Sequence, residues 1–301
     1  MNQNPPIQPY IVTDMREKSP ASSVPDRSIG AILIKMGRLS VADAERVMRH
    51  QVERNVRFGD AALALGVLTE ADIEFALSRQ YDYPYLLRGE SAISESVVAA
   101  YEPFTERVES LRALRNQLMW RWFDTGQERK ALAITGAERG DGRSFLAANL
   151  AVVFSQQGQR TLLIDADMRH PSQHEIFSLE NRVGLSSVLS GRNSVEAVQR
   201  VSSLLDLSVL TAGAPPPNPS ELLGRPALGQ LLRTLADQYD VILIDTPAGS
   251  DSSDAQMVAG RTGAAVVVAR QDVTHVGKVH DLVASLNEAR VHVVGSVLNN
   301  F

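Results

Sequence analysis

The sequence predicts a doubly wound α/β domain with a mostly parallel sheet, preceded by a small, mainly helical tandem-repeat domain. Three observations carry this expectation. From Ala131 onward, short apolar and β-branched runs alternate with amphipathic helical patterns, as parallel strands joined by crossover helices do. A glycine-rich segment directly follows the first of those runs, and upstream the chain repeats itself at a fixed offset.

A length of 301 residues suits two domains, and 44% hydrophobic with 22% charged residues is the composition of an ordinary globular chain. The net charge of -5 argues against a nucleic-acid partner, whose phosphates demand Lys and Arg. With 0 cysteines, disulfides, thiolate metal sites and cysteine nucleophiles are excluded. His170 and His174 are separated by Pro171 and lack a third ligand for zinc, and no Gly-x-Ser-x-Gly hydrolase signature occurs. Apolar runs such as 241–244 and 264–269 fall far short of the roughly 18 to 20 residues that cross a bilayer. The expectation is a cytoplasmic protein with no direct membrane insertion. Residues 1–27 carry Pro5, Pro6, Pro9, Pro20 and Pro25 among polar residues and are expected to form a disordered tail.

The repeat defines a domain over 28–87. At an offset of 29 (59 minus 30), Gly30, Gly37, Leu39, Ala42, Asp43, Glu45 and Gln51 align with Gly59, Gly66, Leu68, Ala71, Asp72, Glu74 and Gln80. Each copy reads as a short helix, a turn, and a second helix capped by Ser40 or Thr69 with an acidic residue three positions on. The pattern resembles the N-terminal domain of type II secretion and pilus assembly ATPases, whose tandem motif can bind cyclic di-GMP. That resemblance implies a ligand role for Arg57, Gly30 and Gly59, although the first copy reads Ser28-Ile29-Gly30 and lacks the leading arginine. The alternative is that Gly30 and Gly59 only allow close helix packing in a protein-docking module. Tyr81, Tyr83 and Tyr85 around Pro84 read as an aromatic cluster at the domain edge or as phosphorylation targets. Residues 88–103 are expected to be a linker and 104–301 the α/β domain.

Strands are expected at 131–135, 161–165, 207–211, 241–245, 264–269 and 291–298. The segment Ala137-Glu138-Arg139-Gly140-Asp141-Gly142-Arg143-Ser144 lies between the first strand and a helix over 145–157, where a phosphate-binding loop belongs. Gly140, Asp141, Gly142, Arg143, Ser144 and Phe145 are the nucleotide-binding candidates. Arg143 stands where the Walker A pattern has lysine, a forked guanidinium in place of a compact ammonium. Two other strands end in Asp165-Ala166-Asp167 and in Asp245, at the edge where open α/β sheets bind ligands. Asp245, Asp167 and Ser144 are candidates for Mg²⁺, and Asp165 for orienting an attacking hydroxyl, with ATP as the nucleotide.

Asp165-Ala166-Asp167-Met168-Arg169 and Pro216-Pro217-Asn218-Pro219-Ser220-Glu221-Leu222-Leu223 resemble motifs of the bacterial tyrosine kinases. So does Glu109-Ser110-Leu111-Arg112-Ala113-Leu114-Arg115, the Glu-x-x-Arg-x-x-Arg motif through which such kinases form rings. The resemblance implies oligomerisation through Glu109, Arg112 and Arg115, where the plainer reading is an ion pair within one helix. It also implies an adenine contact by Asn299, catalysis by Asp165 and Arg143, and activation by an inner-membrane polysaccharide chain-length determinant protein. Exopolysaccharide biosynthesis, at the membrane through that partner, is the implied setting. After Tyr101 the only tyrosine is Tyr239, so tail autophosphorylation in the family's usual form is not expected. The alternative is a nucleotide-dependent switch or scaffold with little phosphotransfer.

Overall fold

A computed structural model describes residues 28–80, 85–127 and 129–300. The expected tail over 1–27, and Tyr81 and Tyr83, lie outside the described residues. The chain divides into two compact units between residues 80 and 81.

In the first unit each repeat copy folds as a helical hairpin. Ser28 and Ser40 accept the N–H groups of Ala31 and Asp43, capping α1 (Ile29–Lys35) and α2 (Val41–Arg54). Helices α3 (Phe58–Ala64) and α4 (Glu70–Gln80) form the second hairpin, where Thr69 and Asp72 exchange side-chain-to-backbone bonds. Gly30 and Gly59 sit where helices approach closely. A Cβ at Gly30 would stand 3.3 Å from the Phe58 ring, and one at Gly59 would stand 3.3 Å from Ile73.

The second unit is a seven-stranded sheet in the order β3-β4-β2-β5-β1-β6-β7. Its strands are β1 (Ala131–Gly136), β2 (Thr161–Asp165), β3 (Gln199–Arg200), β4 (Leu207–Leu210), β5 (Val241–Asp245), β6 (Ala264–Arg270) and β7 (His292–Asn299). Every neighbouring pair is parallel except β3 with β4. The six expected strands are present. The addition, β3, is two polar residues at an edge, too short to impose an alternation that sequence could reveal. Both sheet faces are covered, so alternate residues of one strand enter different cores: Leu132 and Ile134 pack on one side, Ala133 on the other.

One side is packed by α5 (Val98–Tyr101), α6 (Glu106–Leu118) and α7 (Arg143–Ser155). Helices α8 (Gln173–Ile176) and α9 (Leu185–Leu189) follow β2, and α10 (Pro219–Gly224), α11 (Pro226–Ala236), α12 (Asp254–Thr262) and α13 (Val276–Glu288) lie further along the chain, with a π-helical turn at Met119–Phe123 and a 3₁₀ turn at Val195–Ala197 besides.

The expected linker over 88–103 is corrected by the structure. Val97 to Tyr101 are all buried and belong to the core on the α7 side. Asn149 of α7 accepts the Ala99 N–H at 2.9 Å and donates to the Ser96 carbonyl at 3.0 Å, and Gln156 donates to the Ala99 carbonyl at 2.9 Å. Helix α7 supplies the apolar surface for this run, and Asn149 of α7 with Gln156 at its C-cap supplies the amides that satisfy its backbone.

Candidate active site

The order of strands places the predicted residues at one crevice. Strand β1 lies between β5 and β6, and the loop leaving its C-terminal end crosses the carboxyl edge of the sheet. Gly140 and Gly142 adopt φ angles of 83° and 90°, a left-handed conformation that any side chain would strain, and Gly142 is the N-cap of α7. The first-turn N–H groups of that 13-residue helix have no intrahelical acceptor, which suits a phosphate.

Asp165 and Asp245 are direct register partners at the ends of neighbouring strands β2 and β5, and both are fully buried. Burial first, and then the Asp245 charge, push the Asp165 carboxyl well above the usual range, against the pull of the Gln173 and Ser172 N–H groups. Burial likewise pushes Asp245 up to about 6, opposed by the Gln173 and Ser144 side chains and the Arg143 charge. Asp165 accepts the N–H groups of Asp167 at 3.1 Å and of Ser172 and Gln173 at 3.0 Å each, so it also fixes the turn after β2. Asp167 accepts the N–H groups of Arg169 at 3.2 Å and His170 at 2.9 Å.

Gln173, which sequence reasoning did not single out, is fully buried between these groups. Its Nε2 donates to Asp245 Oδ2 at 2.7 Å and to the Ser144 carbonyl at 3.2 Å. Arg143 is 8% exposed, with Nη1 3.5 Å from the Gly136 carbonyl. Among the described residues, Arg143 Nε, Asp245 Oδ1 and Gln173 Oε1 are buried without a hydrogen-bond partner. One donor and two acceptor oxygens beside a phosphate loop fit a nucleotide phosphate and a hydrated Mg²⁺. Ser144 is half-buried in the first turn of α7, against Asp245.

The Asp141 side chain serves the loop itself. Its carboxylate is fully buried, with Oδ2 accepting the Glu138 N–H at 2.8 Å and Oδ1 accepting the Thr274 hydroxyl at 2.6 Å. An anion facing a phosphate would repel it, and here both oxygens are used by protein donors that shape the loop. Thr274 in turn accepts the Arg270 N–H at 2.7 Å, while Asn299 donates to the Asp141 carbonyl at 2.7 Å. The phosphate loop is thus tied to the ends of β6 and β7. A further tie is Glu138, held at about 2 first by Lys278 and then by the His275 N–H and ring. Thr274→Val keeps the shape but removes the donor, leaving Asp141 buried with one bond fewer. Urea denaturation is expected to show a loss of about 1 to 3 kcal/mol.

Phe145 and Asn299 come together in a cleft of about 730 Å³ with Arg107, Leu111, Leu114 and Leu298. The helix carrying Glu109, Arg112 and Arg115 is α6. Glu109 is 71% exposed, whereas Arg112 bonds Glu109 at 3.0 Å and the Pro103 carbonyl, and Arg115 bonds the Val153 carbonyl at 2.9 Å. In the first unit, Arg57 is exposed at the start of α3, while Gly30 and Gly59 are occupied by helix packing.

A ParA family model, NUBPL iron-transfer P-loop NTPase, matches residues 127–301. Tyrosine-protein kinase YwqD of Bacillus subtilis (strain 168) is 36% identical over 209 residues, 69% of this chain and 87% of that protein. Tyrosine-protein kinase etk of Escherichia coli (strain K12) is 37% identical over 202 residues, 67% of this chain but 28% of that protein. Among solved structures, the kinase domain of Escherichia coli tyrosine kinase ETK superposes with a TM-score of 0.67 at 34% identity, covering 73% of this chain and 85% of that one. The chimerical protein CapA2B2 gives a TM-score of 0.64 at 33% identity, covering 75% of this chain and 98% of that one. The length of match, identity and fold agree, and the chain belongs to the bacterial tyrosine-protein kinases, a branch of the ParA-like P-loop NTPases.

Proposed function

We propose that the protein is an ATP-dependent protein-tyrosine kinase that regulates exopolysaccharide polymerisation and export together with a membrane chain-length determinant protein. The observation that carries the phosphotransfer reading is the pairing of Asp165 with Asp245 across β2 and β5 at the phosphate loop. ATP would seat its phosphates on the 140–144 backbone and its base in the cleft beside Phe145 and Asn299. Ser144, Asp167 and Asp245 would hold Mg²⁺, which when bound supplies charge neutralisation between phosphate oxygens. Arg143 contributes positive charge at the same phosphates.

Asp165, a buried carboxylate of raised basicity, takes the proton of the substrate tyrosine hydroxyl. The tyrosine oxygen bonds to the γ-phosphorus, and the bond to the β–γ bridging oxygen breaks with its electron pair leaving on ADP. Glu109, standing exposed on α6, is available to a neighbouring subunit in a ring, with Arg112 and Arg115 exchanging their intrachain partners for that contact. No helix among the described residues is long and apolar enough to cross a membrane, and a peripheral membrane location through the partner is part of the same proposal.

The test is purified protein with Mg²⁺, ATP and the cognate membrane activator, probed for phosphotyrosine on every component. Phosphotyrosine that disappears in Asp165→Asn supports the reading. Its absence while nucleotide binding is intact overturns it and favours the second reading, a nucleotide-dependent switch or scaffold, which rests on Arg143 in the lysine position. The exposed Arg57 motivates a further role for the first unit in sensing cyclic di-GMP. Calorimetric titration of the full chain tests it: binding lost in Arg57→Ala supports it, and no heat at high micromolar ligand removes it.

A further inference from the structure

The turn after β2 holds a residue whose chemistry the phosphate loop and strand-end aspartates do not account for. Gln173 is 0% exposed at the start of α8, yet its side chain contacts no part of α8 through its amide. Its Nε2 instead spans two elements that are remote in sequence, the Asp245 carboxylate at the end of β5 and the Ser144 carbonyl in the first turn of α7. Its own N–H is fixed by Asp165 at 3.0 Å, so the backbone from which the amide projects is anchored as well. The remaining atom, Oε1, is buried and without a hydrogen-bond partner among the described residues, as is Asp245 Oδ1.

A buried amide oxygen without a partner costs on the order of 1 to 3 kcal/mol, a cost that the isolated protein carries beside the two bonds made by Nε2. Two unpartnered oxygens beside one another's bonded atoms form acceptors for the water protons of a hydrated divalent cation. Mg²⁺ retains several waters when protein-bound, and residues that grip its ligands from behind tune its affinity.

We infer that Gln173 is a positioning residue for the cation that accompanies the nucleotide: its amide nitrogen fixes the Asp245 carboxylate against α7, and its amide oxygen accepts a hydrogen bond from cation-bound water. The inference rests on the nucleotide-binding part of the proposed function and is independent of phosphotransfer. Because one amide joins the turn after β2, the end of β5 and the start of α7, Gln173 couples the cation ligand to the phosphate loop. A purely structural glutamine would affect folding and nucleotide binding equally with and without the cation.

The experiment uses the full chain and two variants, Gln173→Met and Gln173→Leu, with ADP titrated by calorimetry in EDTA and again in excess Mg²⁺. Both variants retain apolar bulk and lose the amide, and thermal unfolding checks that each is folded. The expected result is a Mg²⁺-dependent gain in ADP affinity at least tenfold smaller in either folded variant than in the wild type, with EDTA affinities within about twofold. An undiminished Mg²⁺ gain in a folded variant overturns the inference, as does an equal loss in EDTA and in Mg²⁺. If only one variant folds, that variant decides. If neither folds, Gln173 is a folding residue and the inference is overturned. Absence of kinase activity with the Mg²⁺ effect intact would count against the kinase reading alone.

Discussion

Asp245→Asn is expected to slow phosphotransfer severely while making the nucleotide-free protein more stable. The loss of activity, on the order of 10²- to 10³-fold, follows from removing a charge that the site directs at the cation and the transferring phosphoryl group. The gain in stability follows from the same burial. Asp245 is fully buried beside Asp165, and its carboxyl is pushed from 3.8 up to about 6, first by desolvation. A carboxyl whose folded value is raised takes up a proton more readily in the native state. Its contribution to stability is therefore fully present below about pH 4 and is lost as the pH rises through about 6. A rise of that size corresponds to about 3 kcal/mol, which the wild type forgoes at pH 8. Asparagine carries no charge and retains an oxygen to accept the Gln173 amide, and it also relieves Asp165 of its charged neighbour. Thermal unfolding in EDTA should place the variant several degrees above the wild type at pH 8 and bring the two together near pH 4. A variant that is less stable at pH 8, or a gap that does not change with pH, would show that the carboxylate's environment is less hostile to charge than its burial implies.

That site was partly legible in the sequence, for reasons that follow the range of each interaction. The loop glycines and the aspartates at the ends of apolar runs are local signals, each readable within about ten residues, and the structure brings Asp165, Asp167, Asp245, Arg143 and Ser144 to one crevice. Gln173 could not be found that way, because its bonds reach residues 29 and 72 positions away and no local pattern marks it. Thr274, 133 positions from Asp141, escapes for the same reason. Asp141 was legible as a residue of the phosphate loop, whereas only the fold shows both of its carboxylate oxygens in use within the protein. The run from Val97 to Tyr101 had no periodic signal of a strand or a long helix, so its burial against α7 emerged only with the tertiary structure. Gly30 and Gly59 were legible as special positions, and the neighbouring Phe58 and Ile73 side chains supply the physical reason.

Arg143→Lys is expected to raise the rate of phosphotransfer by on the order of tenfold, a change worth about 1.4 kcal/mol in the barrier. The arginine side chain is confined. It is 8% exposed, its Cδ would lie 2.9 Å from a Cβ at Gly136, and its Nη1 faces the Gly136 carbonyl at 3.5 Å. A planar guanidinium in that channel has its orientation set by the β1 backbone, whereas a lysine ammonium is compact and free to rotate its three donors toward oxygens whose charge grows in the transition state. Charge at the phosphates is equal in both proteins, so ground-state binding should change little and the gain should appear in kcat with KM for ATP within about threefold. Arg143→Ala separates charge from shape. It removes the cation that holds Asp245 toward its ionised form, and should cost both nucleotide affinity and rate, about tenfold or more in each. Single-turnover phosphotransfer with the activator present measures all three proteins on one scale. A lysine variant no faster than the wild type would mean that the guanidinium already meets the transferring phosphoryl group as well as an ammonium does, and that this kinase reached the same chemistry with a different cation.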